Sequence, residues 1–175
     1  NDFDFGKIDA RIEYEKKYLD GQKSSILIQG GYSFGALPLT HLYNSSPNNL
    51  TKDNILDRIT ITGKNSFETM YFNEFFSDKF ATFQLKHFIK PFNISVRYKP
   101  QLVLITRFAL GDMDNPERHQ NISFGSLKKG YTESGFELNK LLFGFGLSFT
   151  YRYGGYHLPE FGDNVAIKFT FNVSL

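Results

Sequence analysis

The stretch NVAIKFTFNVSL, residues 164–175, decides how this chain is read. Val165, Ile167, Phe169, Phe171, Val173 and Leu175 occupy alternate positions. Asn164, Ala166, Lys168, Thr170, Asn172 and Ser174 fill the places between them. Successive side chains of a strand point to opposite faces, so one face is apolar and the other mostly polar. The run is also long. Soluble strands average about 5–6 residues, whereas a strand crossing a bilayer needs about 9–11.

The same period recurs upstream. Phe143, Phe145, Leu147, Phe149, Tyr151 and Tyr153 alternate with Gly144, Gly146, Ser148, Thr150, Arg152 and Gly154. Ile8, Ala10, Ile12 and Tyr14 oppose Lys7, Asp9, Arg11 and Glu13. Ile26, Ile28, Tyr32 and Phe34 share a face against Gln29 and Ser33, and Ala81, Phe83 and Leu85 oppose Thr82, Gln84 and Lys86. Phe92, Ile94, Val96 and Tyr98 alternate in the other phase, and Pro91 marks a bulge or bend, since proline removes a ladder hydrogen bond. Residues 102–110 are apolar on both faces except at Thr106 and Arg107, which predicts an inner face covered by a loop or plug. The expected strands are 4–16, 24–34, 79–96, 102–110, 131–140, 141–153 and 164–175. An eighth, within 66–75, is the alternative to a loop that folds inward.

Connections alternate in length. Residues 19–23, 97–101 and the link near 140 are short; 35–78 and 111–130 are long, and 154–162 is intermediate. Bacterial membrane barrels join strands by short periplasmic turns and longer extracellular loops. The fold class expected is therefore all-β: an antiparallel transmembrane β-barrel in the bacterial outer membrane, with a periplasmic C-terminus. Single-chain bacterial barrels have even strand numbers, and an open sheet edge in lipid leaves backbone groups unpaired. About seven or eight strands thus form the C-terminal part of a larger barrel domain, continued by upstream strands. The start at Asn1, without Met, fits a processed or excised chain. A soluble β-sandwich also alternates. Long strands, and charges in a row opposite Phe and Tyr, favour the membrane.

Composition narrows the function. The 175 residues include 30 Phe and Tyr, no Trp and no Cys. Thiol nucleophiles, zinc-finger sites and disulfides are excluded. Lys plus Arg is 20 against 18 for Asp plus Glu, so no clustered basic footprint for nucleic acid is expected. The longest aliphatic run, Leu102 to Ile105, is far too short for a membrane helix.

Further residues carry a resemblance. They are Gly30-Gly31-Tyr32, Gly35-Ala36-Leu37-Pro38-Leu39, the run Phe72 to Ala81, His87, Lys99-Pro100, Gly111 with Asp114-Asn115, Tyr151 to Tyr156, and Phe161 to Asn164. Together they resemble a family of large bacterial outer-membrane proteins. Members join an N-terminal carboxypeptidase-regulatory-like β-sandwich to a C-terminal barrel similar to the bacterial surface antigen barrels. The resemblance covers nearly the whole chain. It implies strands ten to sixteen of a sixteen-stranded barrel of the assembly and translocation superfamily. The partners it implies are outer-membrane lipid, client outer-membrane proteins and periplasmic factors. Two departures stand out. No Arg-Gly-Phe or Arg-Gly-Tyr tip lies in 35–78, and the chain ends in Leu175 where many outer-membrane proteins end in Phe.

Catalytic and metal chemistry finds little support. Gly31-Tyr32-Ser33-Phe34-Gly35 matches the nucleophile-elbow spacing, but Pro38 opposes the helix that motif requires. His41, His87, His119 and His157 have no ligand spacing. Asp112, Asp114 and Glu117 cluster, with Pro116 spoiling the calcium-loop spacing. The five Asn-x-Ser/Thr matches, Asn44 and Asn121 among them, reflect polar loops and lumen faces. No cofactor, metal or enzymatic activity is expected. The candidate functional residues are the lumen-facing polar Lys7, Asp9, Arg11, Glu13, Arg152 and Lys168, and a C-terminal seam of Phe169, Phe171, Val173 and Leu175. The expected role is assembly or translocation of outer-membrane proteins or lipids. The alternatives are a passive pore or surface-exposed binding barrel and, thirdly, a soluble ligand-carrying barrel.

Overall fold

The structure is a computed structural model that describes residues 4–50, 60–95, 98–119, 122–142 and 144–171. It is all-β, with no α-helix among the described residues. Among the described residues nine strands occur in chain order: β1 Phe5–Lys17, β2 Lys23–Gly35, β3 Pro47–Asn49, β4 Phe67–Tyr71, β5 Lys79–Phe88, β6 Gln101–Asp112, β7 Tyr131–Leu142, β8 Phe145–Gly154 and β9 Val165–Phe171. Seven form one antiparallel sheet in the order β1-β2-β5-β6-β7-β8-β9. β3 and β4 form a separate parallel pair inside the long loop. The alternation at 66–75 is therefore β4, not an eighth strand of the main sheet. β1 and β9 are its two edges and do not pair with each other.

Several boundaries move, among them the start of the strand expected at 141, which is Phe145. The strand expected over 79–96 ends at Phe88. Pro91 has no N–H to give, and pairing beyond β5 becomes irregular: Ile89 N bonds Leu102 O at 2.9 Å and Phe92 N bonds Pro100 O at 2.8 Å. The turn expected at 97–101 is thus a longer link, 89–100. β7 continues to Leu142, and a register shift between Leu138 and Leu142 coincides with Lys140 at φ 59°. Gly144, at φ 85°, serves the turn rather than a strand. β6 extends to Asp112, so the following loop is 113–130.

The two faces of the sheet differ sharply in burial, with the polar face covered and the apolar face exposed. On β8 and β9, Gly146, Ser148, Thr150, Arg152, Ala166, Lys168 and Thr170 are buried, while Phe145, Leu147, Tyr153, Ile167, Phe169 and Phe171 are exposed. Arg107 and Glu133 are 0% exposed, and Ile167 is 55% exposed. Exposed Leu104, Phe136 and Ile28 extend the apolar face across the sheet.

The long loop covers the polar face. Phe67, Met70 and Phe75 from the loop pack with Ala109, Leu127 and Tyr131 in one cluster. Each large side chain sealed this way contributes about 1.5–3 kcal/mol. Leu42 and Phe76 form a second cluster with Met113, flanked by Phe124. Val103 and Ile105, the apolar inner positions of β6, are buried. Not every apolar loop residue packs inward. Ile61 is exposed because residues 60–62 run beside β9. Phe169 N bonds Thr60 O at 2.9 Å and Thr62 N bonds Phe169 O at 2.8 Å, a parallel bridge that places Ile61 next to Phe169. Phe72 is exposed as well, and Ile55, Leu56 and Ile59 lie outside the described residues.

Candidate functional site

Register builds a row of charges on the polar face. Gln84 lies opposite Arg107, Arg107 opposite Glu133, and Glu133 opposite Arg152. Every member of the row is buried. Isolated charges in such a place cost several kcal/mol each, so each must find a partner. Arg107 Nη1 donates to Glu133 Oε1 at 2.6 Å. The same carboxylate accepts from the backbone N–H of Glu68 and of Thr69, both at 2.9 Å, and from the Thr69 hydroxyl at 2.6 Å. Tyr131 in turn bonds the Thr69 hydroxyl at 2.8 Å. Glu133 thus ties β4 to the wall.

Three more ion pairs surround it. Arg152 Nη2 meets Glu74 at 2.8 Å, with its guanidinium over the Tyr131 ring at 4.8 Å. Lys86 meets Glu137 at 3.4 Å. Lys168 Nζ lies 3.7 Å from Glu68, donates to Thr60 Oγ1 at 2.9 Å and also bonds Asn48 O. Glu68 accepts from Asn48 Nδ2 at 2.6 Å, Ser66 Oγ at 2.7 Å and Gly63 N at 3.2 Å. Burial pushes the Glu68 carboxyl above the usual range, against the opposing pull of Arg107, Ser66 and Lys168. The loop therefore supplies Glu68 and Glu74, and the wall supplies the cations. The arrangement holds a segment in place.

The expected lumen residues divide into two groups. Arg152 and Lys168 are buried under the loop. Lys7, Asp9, Arg11 and Glu13 remain exposed on the edge strand β1, where residues 62–65 of the loop face Glu13 and Glu15 across an open cleft instead of sealing them. Lys7 reaches the loop, with Nζ bonded to His41 O at 2.9 Å and 4.0 Å above the Tyr43 ring. Arg11 pairs with Glu13 on their own strand, an exposed contact that contributes little. Phe169 and Phe171 lie on the opposite, apolar face; Val173 and Leu175 fall outside the described residues. The sequence places Phe171 near mid-membrane, whereas its register partner is Phe145, the first residue of β8. Phe149 and Ile167 hold the middle of β8 and the place opposite it.

Arg107, Glu133, Glu137, Lys86, Glu68 and Glu74 were not singled out by sequence. The first four share the inner parity of their strands, which was the available signal. Their pairing was not, because it depends on register between strands. Ser33 sits inside β2 and donates to Asp78 O at 2.7 Å, and the motif is followed by a three-residue 3-10 turn, Leu39–His41, in place of an α-helix. Asp112 and Asp114 each face a lysine, Lys128 and Lys79. No cluster of three or more potential metal ligands occurs among the described residues.

This geometry predicts protease resistance. Limited digestion of the intact protein is expected to spare 60–77. Met70→Ala, at a fully buried site, is expected to cost about 2–5 kcal/mol of docking and to open that segment to cleavage. Cutting in 60–77 as fast in the parent as in the variant would contradict the packing.

The class so defined is an all-β chain built on one seven-stranded antiparallel sheet. No protein-family model, curated protein or solved structure matches it.

Proposed function

We propose that this chain is the C-terminal part of a larger β-barrel of the bacterial outer membrane, serving assembly or translocation of proteins or lipids. The observation that carries the membrane part is the inverted burial: Arg107, Arg152 and Lys168 inside, Ile167, Phe169 and Phe136 outside. Water would select the reverse, and an apolar face this large marks contact with protein or lipid. Membrane barrels keep an apolar outer band and a polar interior. The edges of β1 and β9, the latter bridged at Phe169 by residues 60–62, are reconciled with lipid when further strands close the wall. The assembly role rests on the sequence resemblance described above. A passive pore is the weaker reading, because the loop fills the polar side of β6–β9 rather than leaving a channel there.

Fractionation of cells making the whole protein tests the membrane reading. The protein is expected in the outer membrane, with a folded band that migrates differently from a boiled one. Complete recovery in a soluble fraction would refute it. For the assembly role, engineered cysteines would lock the first and last strands of the whole barrel together. Loss of function on oxidation, restored by reduction, is expected; a locked barrel that works normally leaves β9 a purely structural strand.

A further inference from the structure

The two ends of the sheet differ in how their lysines are used. Lys17 lies opposite Lys23, and Lys23 opposite Phe88, so the β1–β2 link and the β5–β6 link share one end of the sheet. Gln101 lies opposite Asn139, so the β7–β8 turn belongs there too. That end carries Lys16, Lys17, Lys90, Lys99 and Lys140, all exposed. None of the five forms an ion pair among the described residues; only Lys23 does, with Glu15 at 2.9 Å. At the other end Lys79 and Lys128 are paired with Asp114 and Asp112. Exposed Glu117 and Glu160 lie there as well.

The free lysines border apolar groups. Tyr14, Tyr18, Leu19, Phe92 and Ile94 are exposed at the same end, where the apolar face of the sheet runs out. Aromatic rings beside a band of apolar side chains sit at headgroup depth, and long lysines reach past them to the interface.

We infer that the short-link end of this sheet is a docking surface for anionic phospholipid headgroups. This rests on the membrane reading proposed above. The chemistry is a rim of unpaired ammonium groups against headgroup phosphates, just above an apolar wall that meets the acyl chains. The contrast with the opposite end is one of charge balance: there Lys7 and Lys129 also lack an ion pair among the described residues, but Asp112, Asp114, Glu117 and Glu160 stand among the lysines. Cations near an anionic leaflet gain affinity with every residue engaged, about fivefold each, and lose it as salt screens them.

The test reconstitutes the whole protein in phosphatidylcholine vesicles carrying trace spin-labelled phosphatidylglycerol or spin-labelled phosphatidylcholine. The fraction of each probe immobilised at the protein is measured by spin resonance. The anionic probe is expected to be preferred several-fold, and the preference to fall toward unity in about 1 M salt. The quadruple variant Lys16→Gln, Lys17→Gln, Lys90→Gln, Lys99→Gln is expected to bring the preference close to unity at low salt. Glu117→Gln with Glu160→Gln, at the far end, should leave it unchanged. The folded gel band verifies that each variant is native. Equal immobilisation of both probes, unchanged by the lysine substitutions, overturns the headgroup surface and leaves the membrane reading standing. Immobilisation of neither probe overturns both.

Discussion

Glu133→Ala is expected to be the most damaging single substitution in the chain, at about 3–5 kcal/mol. The carboxylate is fully buried and accepts four hydrogen bonds, from Arg107, the backbone of Glu68 and Thr69, and the Thr69 hydroxyl. Its removal strands the Arg107 guanidinium among groups that cannot solvate it. It also orphans two backbone donors of β4, each costing about 1–3 kcal/mol when buried unsatisfied. Urea unfolding of the reconstituted protein, followed by the folded gel band, measures the loss. A midpoint within error of the parent would mean that this side of the sheet is wet.

Ile167→Arg separates lipid from water as the solvent of the outer face. Ile167 lies opposite Phe149, midway along β8, and is 55% exposed. In a bilayer an arginine at mid-depth costs about 2–4 kcal/mol, falling to about 0–1 near the interfaces. Phe171→Arg, opposite the first residue of β8, is therefore expected to cost less. On a face bathed by water the same exposed substitution would stay within about 0.5 kcal/mol. The same unfolding assay reads both variants, and equal small effects at the two positions would end the membrane reading.

β8 and β9 were legible in sequence almost residue by residue. Their two faces meet such different surroundings that no position tolerates the wrong polarity, from Phe145 to Phe171. β5 was overread because Phe92, Ile94 and Tyr98 keep the period of two where Pro91 and Pro100 deny a regular ladder. Periodicity reports polarity, not pairing. β7 was the faintest strand, since Gly135 and Ser134 dilute its pattern. The seat of the loop was foreseen only in outline: its apolar content demanded cover, but Ile61 turned outward beside Phe169. The contacts that define the site, Glu133 to Thr69 or Lys168 to Glu68, join residues roughly a hundred positions apart or somewhat fewer. Nothing local encodes such distances. Parity named the wall residues, and only register could match them to the loop.

The meander also dictates an order of assembly. Each strand of the main sheet pairs with the strand next to it in that sheet's chain order, β3 and β4 excepted. The pairs joined by short links, β1–β2 and β7–β8, close early, because short loops cost the least entropy. The loop cannot do the same. The backbone N–H groups of Glu68 and Thr69 donate to Glu133 of β7, and Lys168 lies on β9, so the loop's seat does not exist until the final strands have arrived. Until then Arg107, Glu133, Arg152 and Lys168 stay hydrated. The wall is raised wet on its polar side, and drying is the last act of folding.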